Sequence, residues 1–342
     1  MKSYIYTALI FSFLLAAIPT VPIIMGKVDT AKAQESLLSS QSQIEETTET
    51  TVHESKTSKK YQTLKVLDIT TGQVEEISAF DYVVGAVCAE MPATFEPEAL
   101  KAQAVAAYTY AVRQAKKAEI SPDSELGGAY FSNDSSKYQA YFTENQAEQY
   151  YGKNFDEYYE KIKSAVSEVE GEYMVYENEP IIAAFHSVSS GKTESAENVW
   201  GNNIPYLVSV KSEYDTKSPN FYETTEFTEK EMKELLESSF KGIKLPDKPQ
   251  DFFKEEKISD CGTVLSVKVG DKKLTGQEIR SALSLRSAAF KIKYDDDGFK
   301  VTVKGCGHGV GMSQYGANEM AKTGDDYKEI LTHYYTGIEI TK

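Results

Sequence analysis

Cys88 to Gln114 reads CAEMPATFEPEALKAQAVAAYTYAVRQ, and the two helices it encodes decide the fold. Just upstream, Ser78 followed by Asp81 gives a capping-box start, and Phe80, Val84, Val87 and Met91 fall on one helical stripe. At about 100° per residue, Glu90 lies roughly 80° from the centre of that stripe, near Val83, which puts its carboxylate at the edge of buried apolar surface. Met91-Pro92 ends this helix, and Glu96-Pro97 opens the next with a proline suited to the first helical turn. The second helix is expected from Pro97 to about Lys116. Its middle, Ala104 to Val112, is apolar nearly all round, which predicts a buried central helix against which others pack.

Outward from these helices the chain turns to strands. A short strand is expected at Leu64 to Ile69. Tyr173 to Tyr176, a Glu177-Asn178-Glu179 turn and Ile181 to His186 read as a hairpin, and Phe299, Val301 and Val303 alternate on one side of a strand from Phe299 to Lys304. The fold class is therefore α+β, a central buried helix with surrounding helices and antiparallel strands. No internal repeat is present. Two turn-rich zones, 121–136 and 215–260, read as insertions in one domain spanning 61–342.

The first sixty residues are of another kind. Tyr4 to Met25 carry no charge, and roughly 20 apolar residues suffice for a helix to cross the hydrocarbon core. Lys2 before the run and acidic chain after it predict a cytoplasmic stub and a single transmembrane anchor over 1–26, with the bulk exported. Ala31-Lys32-Ala33 has the form of a signal cleavage site, but the apolar run exceeds the about 7 to 15 residues of a signal core. From 27 to 60 the chain offers almost nothing to bury, so a disordered linker is expected.

The formal net charge of -15 with no basic block excludes a nucleic-acid surface, which needs clustered Lys and Arg. Three cysteines, Cys88, Cys261 and Cys306, leave at least one thiol free, and Cys261 with Cys306 is a candidate disulfide in an exported domain. No Cys-x-x-Cys or His-x-x-His spacing encodes a local zinc site. No cofactor and no metal are expected, although a metal assembled from distant residues around His186 or His308 stays open.

Two further segments hold chemistry. GCGHGVGMSQYGANEMA, Gly305 to Ala321, places four glycines between Gly305 and Gly311 around His308, ahead of a helix beginning near Ser313. Such glycines serve either a tight strand-to-helix crossover or close approach to a ligand. His308, Gln314 and Tyr315 favour a site, because they supply a titratable ring, an amide and a phenol suited to sugar hydroxyls. AFHSVSSGKTE, Ala184 to Glu194, delivers His186, Ser187 and Ser190 from a strand into a turn at Gly191. Without G-x-S-x-G it is not a serine hydrolase elbow. A sugar-binding loop is the better functional reading, against an ordinary polar hairpin exit.

A glutamate at a helix end is by itself usually a solvated charge. The three segments, however, resemble in order the signatures of the stage II sporulation protein D family, over about Lys65 to Ile340. The resemblance implies a peptidoglycan lytic transglycosylase of endospore engulfment, anchored in the cell membrane with its catalytic domain extracytoplasmic. It implies as partners the glycan strands, a cell-wall amidase and a membrane protein of the engulfment machinery. It carries over Glu90 as the catalyst, Lys101 and Gln103 on the central helix, Gln139 and Tyr141 in YQAY, His186 and Ser187, and His308, Gln314 and Tyr315. Departures are Tyr108 where the family commonly has Arg, Ser190-Gly191 where two glycines are usual, and Cys306 where a Trp is common.

Cleaving a β-1,4 glycosidic bond needs a proton on the leaving oxygen and stabilisation of an oxocarbenium-like carbon. A sheltered Glu90 holds its proton near neutral pH, because desolvation disfavours the charged form. If the muramic acid's own C6 hydroxyl closes the ring, one carboxylate serves as acid and then base. Two rival readings remain at this level: a wall-binding module that enhances a partner amidase, and an ordinary muramidase.

Overall fold

The computed structural model describes residues 61–295 and 298–342. The expected anchor and linker lie outside the described residues. Among the described residues no helix is long and apolar enough to cross a membrane.

The architecture is α+β, and the two helices of the opening segment form its centre. Ser78 caps the first, Ala79–Glu90, by accepting the Asp81 N–H at 3.0 Å, and its hydroxyl donates to the Asp81 carboxylate at 2.6 Å. Met91 closes this helix through its N–H to the Val87 carbonyl and turns into extended backbone. The second helix, Pro97–Ile120, is buried at almost every position from Ala99 to Val112. Each fully buried Leu or Val contributes roughly 1.5–3 kcal/mol of transfer free energy. It runs past Lys116 because Lys117, Ala118 and Glu119 are adequate helix formers, and it stops where Ser121-Pro122 forbids continuation.

One close approach fixes the strip that covers Glu90. A Cβ on Gly85 would stand 2.1 Å from the Phe142 carbonyl oxygen, and Phe142 N–H donates to the Gly85 carbonyl at 3.0 Å. Gly85→Ala is thus expected to cost about 1–3 kcal/mol through overpacking and to lift 139–142 off Glu90. Thermal melting and a pH–activity profile check both halves; an unchanged melt refutes the close packing.

Among the described residues the strands form five small sheets. Thr63–Asp68 and Gln73–Ser78 make an antiparallel hairpin, with Phe131–Ser132 added in parallel. Tyr173–Tyr176 pairs with Glu179–Pro180 through a two-residue turn in which Glu177 and Asn178 both have positive φ, the geometry such hairpins favour. The second arm is Glu179–Pro180, which begins in the expected turn and ends before the expected Ile181 to His186. Beyond Pro180 the chain leaves the ladder, and Phe185–His186 pairs in parallel with Met312–Ser313. The sheets are therefore not all antiparallel, and this parallel pair joins the two motif-bearing segments.

The zone 215–260, expected as turns, holds a strand (Tyr222–Thr228), a helix (Glu229–Ser239) and a further strand (Phe253–Ile258). Tyr222–Thr228 escapes periodicity because it is a polar edge strand beside Gly298–Lys304, which is itself paired to Phe290–Asp295. As expected, Phe299, Val301 and Val303 face inward. They join Met232, Leu236, Val267 and Ile279 in a second hydrophobic core, separate from the one around the central helix. Val188, Phe221 and Cys306, with Tyr315 against them, form a small apolar cluster beside these two cores.

Candidate functional site

Glu90 is the last residue of its helix and is half-buried. Burial raises its carboxyl to about 7, against a weaker opposing pull from the Ala140 backbone N–H. The helix terminus works in the same direction as burial, since the partial negative charge of free carbonyls disfavours a second negative charge there. At neutral pH a substantial fraction of Glu90 is a carboxylic acid.

The strip over Glu90 is held by aromatic residues. Tyr82 OH donates to Gln139 Oε1 at 3.0 Å, and the Gln139 N–H donates to Tyr110 OH at 3.2 Å. Tyr82 also packs on Tyr141 and Phe131, each with ring centroids 5.2 Å away. Gln139 therefore fixes the segment that presents Ala140 to Glu90, while half-buried Tyr141 lies beside it.

Gln103 and Gln314 come together from distant segments. Gln314 Nε2 donates to the Glu90 carbonyl at 2.9 Å and to Gln103 Oε1 at 3.2 Å. The Gln103 Nε2 is buried without a hydrogen-bond partner. Such an orphaned amide costs about 1–3 kcal/mol, so the corner beside Glu90 keeps an unused donor.

His186 sits opposite Ser313 in the parallel pair, one residue from Gln314. Its Nδ1 faces the Val310 carbonyl at 3.2 Å, and a carbonyl can only accept, so Nδ1 carries the hydrogen. Burial lowers the ring to about 4, leaving it neutral with an unpartnered acceptor at Nε2. His308 differs: its Nδ1 accepts the Val310 N–H at 3.0 Å, and the Phe185 carbonyl engages the ring as well. Burial, and then His186 and Arg280 nearby, lower His308 to about 3. With its ring committed to two backbone groups, His308 is a structural part of the loop.

The glycines around His308 serve that packing. Gly311 has φ +73°, and a Cβ there would lie 2.0 Å from the Ala184 carbonyl oxygen. They seat this loop on the His186 strand, the crossover reading of the sequence.

The remaining sequence candidates divide. Ser187 accepts the Tyr315 N–H through its carbonyl at 3.0 Å, which places both beside His186. Tyr315 OH donates to the Lys217 carbonyl at 3.4 Å and its ring packs on the Val188 cluster. Ser190 donates to the Cys261 carbonyl at 2.6 Å, turning away toward the second core. Lys101 is not joined to the Glu90 corner. It pairs with Glu98 and with Glu168, the latter at 3.0 Å, and lies over the Tyr327 ring, because two residues along a helix point roughly 200° apart and Gln103 takes the other side.

All three cysteines are free, so the Cys261–Cys306 pairing is not made. Cys261 Sγ instead donates to the Thr193 carbonyl at 3.1 Å. Among the described residues no group of three His, Cys, Asp or Glu is placed to hold a metal ion.

Sequence reasoning missed two buried carboxylates. Glu194 accepts from Ser195 N–H, Asn198 Nδ2 and Ser259 Oγ. Asp215 accepts the Ser189 N–H and the Ser313 hydroxyl, both at 2.8 Å. Both sit among polar residues where a solvated charge is the ordinary reading, and no local pattern separates the cases.

Comparison with known proteins places the chain in a family. The family model described as stage II sporulation protein matches residues 67–176, which include Glu90, Gln103, Gln139 and Tyr141. Stage II sporulation protein D of Bacillus subtilis (strain 168) is 41% identical over 271 residues, 79% of this chain and 76% of that protein. Its counterpart from Bacillus amyloliquefaciens is 40% identical over 270 residues, with the same shares. The amidase enhancer of Bacillus subtilis is 29% identical over 311 residues, 75% of this chain and 40% of its own length. Identity of this level over three quarters of both chains makes the protein a member of the stage II sporulation protein D family, a family of sporulation.

Proposed function

We propose that the protein is a peptidoglycan lytic transglycosylase with Glu90 as its single acid and base. The observation that carries this reading is a half-buried carboxyl whose proton is held to about pH 7, facing the Ala140 N–H, on a residue whose backbone carbonyl accepts from the Gln314 amide. Protonated Glu90 donates to the leaving glycosidic oxygen, and the bond from that oxygen to the muramic C1 breaks. The resulting carboxylate takes the proton of the C6 hydroxyl as that oxygen closes on C1, giving a 1,6-anhydro end. Glu90 returns to its acid form, so no water and no second carboxylate are required, whereas a hydrolase normally uses two.

The substrate in this reading is glycan stripped of stem peptides, during sporulation engulfment. The uncharged run 4–25 anchors the chain in the cell membrane, with 61–342 outside as the catalytic domain and a cell-wall amidase as working partner. The amidase enhancer relative supports a second reading: wall binding that stimulates an amidase without cutting sugar. Mass spectrometry of the ends made from purified, peptide-free strands decides. Anhydro-muramic ends are expected; reducing ends indicate a muramidase, and intact strands with a stimulated amidase indicate the enhancer.

A further inference from the structure

Trp200, the only tryptophan of the chain, makes no contact with Glu90 among the described interactions. It remains 37% exposed, at the end of the short helix Ala196–Trp200. Singly exposed apolar residues are ordinary, but this one is held by an unusual support. Glu194, only 2% exposed, accepts the Ser195 N–H at 3.0 Å and Asn198 Nδ2 at 2.8 Å, both in or beside that helix. Its other oxygen accepts Ser259 Oγ at 2.5 Å, from the segment leading into the second core. A buried carboxylate is costly unless its hydrogen bonds are met, so this clasp fixes a helix whose most prominent product is an exposed indole.

The surroundings suit a polyhydroxy ligand. His308 packs against the indole with centroids 5.6 Å apart, and His186 lies 5.8 Å beyond His308. His186 is 3% exposed and its Nε2 is buried without a partner, one ring away from the indole. Nearby Arg280 is engaged with the Leu285 carbonyl and Gln277. A pyranose presents a C–H face that stacks on an indole and a rim of hydroxyls that hydrogen-bond.

We infer that Trp200 is a stacking platform for a pyranose ring of the glycan, at a subsite displaced from Glu90. The inference rests on the proposed function, and contact links the two places: His186 pairs with Ser313, and adjacent Gln314 bonds the Glu90 carbonyl. In this proposal one strand of linked sugars engages both. Glu194 is then a positioning residue for the platform, not a second catalytic acid.

The single indole makes the test direct. In a Glu90→Gln protein, titration with N-acetylglucosamine trimer and with peptide-free glycan strands is expected to change tryptophan emission saturably. Adding Trp200→Ala is expected to weaken strand co-sedimentation about tenfold, the scale of an aromatic contact, with Trp200→Phe restoring most of it and the melting temperature unchanged. Strands that still sediment with the protein while emission stays constant, or equal binding by the alanine variant, overturn the platform and leave the transglycosylase reading standing. Failure of strands to bind either wild type or Glu90→Gln overturns that reading, and the platform with it.

Discussion

Glu90→Gln is expected to lower glycan-strand cleavage by about 10²- to 10⁴-fold, the usual contribution of a positioned acid or base, while strand binding persists. The amide has nearly the same shape but can neither donate to a departing sugar oxygen as an acid nor collect the C6 proton. In the wild type, kcat/KM should fall as pH rises through about 7, because the acid form is the one that starts the reaction. The same shift makes a stability prediction. The folded carboxyl ionises near 7, well above the ordinary 4.5, so between these values the folded state binds more protons than the unfolded chain. Stability on this account is complete below about 4.5 and declines as pH rises to about 7. Glutamine removes the loss: the variant should melt above wild type at pH 8, with the gap closing toward pH 4. Equal melting at both pH values would show the carboxyl to be solvated, and full activity would remove it from the mechanism.

The second large effect is expected far from any proton transfer. Asp215→Ala should destabilise the fold by about 2–5 kcal/mol, because it leaves the Ser189 N–H and the Ser313 hydroxyl without their acceptor at about 1–3 kcal/mol each. Asp215 is 0% exposed, so water cannot replace the lost oxygens without the structure opening. Ser313 caps the helix Gln314–Thr323 that carries Gln314, and Gly316 lets that helix sit hard against Tyr334, Ser212 and Asp215. Cleavage should therefore fall along with stability as Gln314 loses its seat beside Glu90. Urea unfolding measures the first effect, and activity well below the melting range measures the second. Asp215→Asn, which keeps one acceptor oxygen, should recover part of both. An alanine variant of native stability would mean that Asp215 is not the centre of this knot.

The sequence by itself determined the α+β class, the buried central helix and the inward strand face of Phe299, Val301 and Val303, because apolar periodicity is local and survives whatever the rest of the chain does. It also placed Glu90 at the rim of the core, since that position follows from helical angle alone. Residue type offered His186, Ser187, Ser190, His308, Gln314 and Tyr315, and the family resemblance added Lys101, Gln103, Gln139 and Tyr141, without ranking any of them. Only the tertiary structure decided that Gln103 and Gln314 gather at the Glu90 carbonyl, and that Gln139 is held by Tyr82 and Tyr110, while Lys101 is spent on Glu98 and Glu168. It separated His186, with a buried and unpartnered acceptor, from His308, whose ring is committed to backbone groups. It also disclosed the polar edge strand Tyr222–Thr228 and the buried carboxylates of Glu194 and Asp215. The physical reason is common to all of these. Whether a polar side chain is solvated, buried or paired depends on groups brought close by chain closure, and spacing along the sequence does not encode which distant donor or acceptor will be there.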